Sequence, residues 1–119
     1  MMPEGYERWR DEFAAALDPR FHGVAHVDGL VWCGRARLFA NERAALLAEI
    51  KVYPTGASDV HVLVGAGDLH ELVALEPRLV AWGRAHGCLG VLIESRDAWA
   101  KVMKKHGYDP HQIAVRKEL

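Results

Sequence analysis

The chain is poor in cysteine, has no long hydrophobic run, and carries no excess of either charge. Its two cysteines, Cys33 and Cys88, are too few and too far apart for a disulfide framework or a zinc cluster. No apolar run approaches the roughly 18–20 residues of a membrane span, so no membrane association is expected. Lys and Arg total 15 against 16 Asp and Glu, a net charge of −1. Such a chain has no global field to draw in nucleic acid or an anionic membrane. Repeats and low-complexity tracts are absent, and the opening Met1-Met2-Pro3-Glu4-Gly5 lacks the basic and apolar regions of a signal peptide. What is present is ordinary globular composition, 50% hydrophobic and 26% charged over 119 residues. That predicts one domain spanning residues 1–119, compact and cytoplasmic.

Local patterning supplies the elements. Tyr6, Trp9, Phe13 and Leu17 share one helical face, and Asp18-Pro19 stops that helix. Between Val24 and Gly34 a short helix is expected, with Asp28 as its cap and Gly34 as its terminal glycine. Three strands follow. They run from Arg35 to Phe39, from Ala44 to Tyr53, and from Ser58 to Gly65, with Val60, Val62 and Val64 on one face of the third. Short links between them favour antiparallel hairpins. Asp68, with Glu71 three residues on, reads as a capping pair opening a long apolar-faced helix that Pro77 kinks and His86-Gly87 ends. A short strand from Cys88 to Glu94, a helix from Arg96 to His106 and a last strand through Ile113, Val115 and 117–119 complete the order. The result is an α/β (α+β) three-layer domain whose mainly antiparallel sheet turns parallel around the long helix.

This order resembles the GNAT superfamily of acetyltransferases, best from Leu38 to Leu119. The most specific parts are Gly83-Arg84-Ala85-His86-Gly87 before the short strand and Gly107-Tyr108 after the next helix. Gly67-Asp68-Leu69, Glu76-Pro77, Trp82, Trp99 and Lys117-Glu118-Leu119 are similar to short GNAT-like proteins of phages and prophages. The resemblance implies a V-shaped gap for acetyl-CoA, here between a strand ending near Val64 and one beginning near Cys88. It also implies a phosphate loop near Gly67, Asp68, Leu69 and His70, with Arg96 assisting. Two departures stand out. The loop lacks the family's glycines, and Met103 occupies the place where many members have a tyrosine acid. Tyr108 is the nearby hydroxyl left for that role.

Acetyl transfer to an amine requires a base, a polarised thioester carbonyl and close approach. Glu49 and His61, on adjacent expected strands, are the candidate bases. The alternative for Glu49 is an ion pair with Lys51 or Arg37, and for His61 a structural or solvent-facing histidine. His22 and His26 lie four apart, but Gly23 interrupts the helix that would align them, so no metal is expected. Lys101, Lys104, Lys105 and His106 form a basic helical patch expected to be solvated, and Cys88 and Cys33 are expected to be inert. Two readings stay open. One is an N-acetyltransferase acting on a small-molecule or protein amine. The other is a domain of this fold without chemistry, phage-encoded, with virion proteins or a second copy as partner.

Overall fold

The computed structural model describes residues 1–94 and 97–119. The aromatic stripe of the first segment becomes the buried side of α1 (Tyr6–Ala16), with Tyr6, Trp9 and Phe13 inward. Packed against it is α2 (Val24–Trp32), ended by Gly34 at φ +82°. Asp28 does not cap α2 as expected. Gly23 holds the cap position without a side-chain bond. Asp28 lies within the helix, accepting from Tyr6 Oη at 2.6 Å and from the Arg10 guanidinium at 2.8–3.1 Å. The reason is the buried phenol: a hydroxyl leaving water needs an acceptor, and Asp28 supplies it across the α1–α2 contact. The bonds from Arg10 and then from Tyr6 hold the Asp28 carboxyl below the ordinary carboxylate range, against its partial burial.

Four strands follow, β1 (Ala36–Ala40), β2 (Ala44–Val52), β3 (Ser58–Gly67) and β4 (Gly90–Ile93), ordered β1-β2-β3-β4. The first two joints are antiparallel and the third is parallel. Asn41 makes the β1–β2 turn, its Oδ1 accepting from the amides of Arg43 and Ala44 at 2.9 Å. A parallel joint needs a crossover, here α3 (Leu69–Ala74) and α4 (Glu76–Ala85), split where Pro77 begins the second helix. After β4 comes α5 (Asp97–Lys104). One sheet face packs Ala45, Leu47, Val64 and Ala66 against α1 and α2. The other packs Leu46, Ala48 and Val60 against Leu72, Leu75 and Leu79 of the crossover. Gly83 lets α4 approach β3, because a Cβ there would stand 2.7 Å from Val60 Cγ2. No helix among the described residues is long and apolar enough to cross a membrane.

Three expectations need correction. Val64 does not share a face with Val60 and Val62. Leu47 pairs with Val64 but Ala48 pairs with Val62, so Leu63 is an extra residue that turns the strand over. The strand expected over Cys88–Glu94 is only Gly90–Ile93. The last strand is absent: residues 109–119 contain no strand, and Ile113 and Val115 are 87% and 92% exposed. That segment has two β-branched residues and no sheet edge alongside. Its charged end pairs instead with the α1–α2 turn, where Glu118 meets Arg20 at 3.2 Å and the Arg116 guanidinium lies over Phe21.

Two consequences can be measured by urea unfolding. Gly83→Ala lowers stability by about 2 kcal/mol, since the fully buried Val60 cannot move aside. Asp28→Asn costs about 2 kcal/mol at neutral pH, the worth of bonds to a charged acceptor. The Asp28 carboxyl titrates lower folded than unfolded, so its stabilisation is complete above about pH 4 and is lost as acid protonates the folded protein. The gap between wild type and Asp28→Asn therefore closes as the pH falls through the folded-state pKa, which lies below the ordinary carboxylate value.

Candidate functional site

The site begins where the parallel joint ends. β3 and β4 pair from Asp59–Gly90 to Val62–Ile93, and β3 then runs on to Gly67 without β4 beside it. Leu63, the bulged residue, stands opposite no residue on either neighbouring strand. A cavity of about 90 Å³ opens there, walled by Leu63 and Gly65 of β3, Leu72 of α3, Ile93 and Glu94 at the end of β4, and Met103 of α5. Gly65 helps to keep it open, since a Cβ at that position would sit 3.4 Å from Leu72. The opening lies where β4 ends at Ile93, while β3 continues past Val64 to Gly67.

At the last paired step lies a polar row across three strands. The β2–β3 register sets Glu49 opposite His61. His61 Nδ1 is 3.5 Å from Glu49 Oε1, and His61 Nε2 is 3.0 Å from Glu94 Oε1. The His61 and Glu49 side chains are 17% and 22% exposed, and that of Glu94 is 66% exposed. A neutral imidazole has one N–H, so it donates to one carboxylate only. The Nδ1 contact with Glu49 has hydrogen-bond geometry, and the Nε2 approach to Glu94 is that of an ion pair when the ring is protonated. With both ring nitrogens turned to carboxylates on opposite sides, the row does not converge on a metal. No group of three such side chains suited to a metal occurs among the described residues. His22 precedes α2 and His26 lies on it, so the two do not share a helix face.

The ion pairs weighed for Glu49 are not the ones formed: Lys51 lies over the Tyr53 ring, and Arg37 lies between Phe39 and Trp82. Tyr108 stands apart from the row. Its hydroxyl donates to Glu76 Oε1 at 3.3 Å, tying the chain after α5 to the start of α4. Burial first, then the Glu76 charge, push its pKa above the ordinary tyrosine value, so the phenol stays protonated. Met103 is buried against the cavity, and a thioether has no proton to give. Cys88 is half-buried beside Ser58, while the neighbouring His86 ring packs on Trp82.

Gly67, Asp68, Leu69 and His70 form the β3–α3 turn. Gly67 has φ +99°, and a side chain there would strike the Arg43 carbonyl. Asp68 caps α3 as expected, accepting from the amides of His70 and Glu71 at 2.8 and 3.3 Å. Glu71 does not close the box; its carboxylate accepts from Asn41 Nδ2. A second groove runs from this turn to α5, lined by Asp68, Leu69, His70 and Val73 on one side and Val102, Lys105 and His106 on the other. The basic patch is therefore divided, with Lys105 and His106 facing the groove and Lys101 and Lys104 on the open helix surface. Arg96 lies outside the described residues. Glu94 and the division of the lysines are not singled out by the sequence. The signal for Glu94 was available, a carboxylate closing the apolar run Leu89–Ile93.

No protein-family profile matches the chain, and no curated relative does. Solved structures do. The aminoglycoside N-acetyltransferase AAC(6')-Iy in complex with CoA superposes with a TM-score of 0.72 at 14% identity, covering 100% of this chain and 91% of that one. An acetyltransferase of Trypanosoma brucei gives 0.61 at 15% identity, with 92% and 94% covered. A predicted acetyltransferase of Clostridium acetobutylicum with acetyl-CoA gives 0.64 at 11%, with 86% and 76% covered. The finer likeness to phage proteins has no counterpart among these. The chain has the fold of the GNAT acetyltransferases.

Proposed function

We propose that the protein is an N-acetyltransferase that moves an acetyl group from acetyl-CoA to an amine. The observation that carries this reading is the parting of β3 from β4, which puts an apolar slot beside the Glu49–His61–Glu94 row. Acetyl-CoA supplies an activated thioester at the end of a long arm that ends in phosphates. The residues present suit both ends. Leu63, Leu72, Ile93 and Met103 line a slot for the pantetheine arm, and Lys105, with His70 and His106, offers cationic and N–H groups to phosphate in the second groove, which Asp68 also lines. The row at its edge takes the proton that an ammonium must lose before its nitrogen can attack. AAC(6')-Iy with CoA and the Clostridium protein with acetyl-CoA share this fold, which supports the choice of donor.

A fold kept without its chemistry is the competing reading. It is favoured by two observations: Asp68 fills the α3 amides with its own carboxylate, and the side chain buried against the slot from α5 is Met103, a thioether with no proton to give.

Calorimetry with CoA separates the two. Binding in the micromolar range is expected, and Lys105→Glu raises the dissociation constant about tenfold, an effect that weakens with added salt. Absence of heat at millimolar CoA leaves only the competing reading. Asp68 gives a second test. Asp68→Ala removes the cap and lowers stability by about 1 kcal/mol. It also frees two amides at the turn and removes a like charge, so CoA binds more tightly to the variant. Thermal unfolding and calorimetry on the same protein check both effects.

A further inference from the structure

We infer that Glu94, rather than Glu49 or His61, is the group that meets the acceptor amine, with His61 and Glu49 behind it as positioning residues. This rests on the acetyltransferase reading above. Three observations support it. Glu94 lines the slot between β3 and β4, whereas His61 and Glu49 do not. Glu94 is the exposed end of the row, at 66% against 17% and 22% for the other two. His61 Nε2 lies 3.0 Å from Oε1 of Glu94, which places an imidazole against one carboxylate oxygen and leaves the second with which to accept a proton.

The charged surroundings match that task. Glu49 faces the row from β2, and Asp59 lies on β3 with Tyr53 donating to it at 2.8 Å. Glu76 of α4 lines the same slot. Acidic surroundings draw amines in their ammonium form, and an ammonium has no lone pair with which to attack. Glu94 takes one N–H proton. The freed lone pair forms the bond from nitrogen to the acetyl carbon, the carbon–sulfur bond breaks, and the second N–H proton leaves with the thiol. The sum is ammonium plus acetyl-CoA giving amide, CoA thiol and one proton, which passes from Glu94 to water at the exposed end of the row.

The test compares wild type with Glu94→Gln, Glu94→Ala and Glu49→Gln in the full chain, using acetyl-CoA and n-butylamine. CoA affinity by calorimetry is expected to be the same in all four. Glu94→Gln lowers kcat about a hundredfold without changing the KM for acetyl-CoA. Its rate rises steeply with pH toward the amine's own ionisation near about pH 10, because base in solution then replaces the carboxylate. Glu49→Gln keeps a measurable rate and the wild-type pH profile. Nitrogen-15 spectra of the His61 ring give a readout independent of turnover. They are expected to show the Nε2 signal displaced in Glu94→Ala relative to wild type. A wild-type rate in Glu94→Gln, or an Nε2 signal unmoved in Glu94→Ala, overturns the assignment. Failure of every variant and of wild type to bind CoA overturns the acetyltransferase reading instead, and the spectra still decide the His61–Glu94 contact.

Discussion

Leu63 has no opposite number on either neighbouring strand, and the character of the molecule depends on that extra residue. A strand without it would present Val60, Val62 and Val64 to the same layer and stay in step with its neighbours. With it, Val64 and Ala66 turn toward α1 and α2 while Val60 and Val62 remain under α4. Beyond the bulge β3 continues alone, since β4 ends at Ile93. One residue thus divides the core between two faces and leaves an opening where a closed sheet would have none.

Polar groups are placed by the same logic of satisfaction. The Tyr6 hydroxyl draws Asp28 and Arg10 into the α1–α2 contact. Across the sheet, His61 has carboxylates at both ring nitrogens. Asp68 shows how one residue can serve structure while opposing a ligand. Its carboxylate satisfies two helix-end amides that a phosphate would otherwise seek, in a turn lacking the glycines that let backbone approach an anion.

Several of these features could be read from the chain. The stripe of Tyr6, Trp9 and Phe13, the glycine after α2, the Asp68 cap and the Pro77 break are local, each set by neighbours within one turn. The parallel joint also followed from the order of elements, because a helix between two strands returns the chain in the same direction. The misreadings have a common cause. Asp28 was assigned a cap because a cap is a local role, yet its partners lie 18 and 22 residues away. Ile113 and Val115 read as strand by composition, although a strand also needs an edge to pair with. The alternation of Val60, Val62 and Val64 concealed the bulge, since the extra residue shows only against the partner strand.

For the site, the sequence by itself determined which groups were available: Glu49 and His61 on neighbouring strands, a turn at Gly67–His70, and no tyrosine at Met103. Only the tertiary structure decided how they meet. It set Glu49 across from His61, swung Glu94 from the end of β4 onto the other ring nitrogen, and turned Lys105 and His106 into a groove while Lys101 and Lys104 stayed outside. The physical reason is the range of the forces involved. Helix periodicity, capping and turn geometry act over a few residues along the chain. Strand register, a bulge and a shared proton depend on pairings between distant segments, which exist only once the sheet has formed.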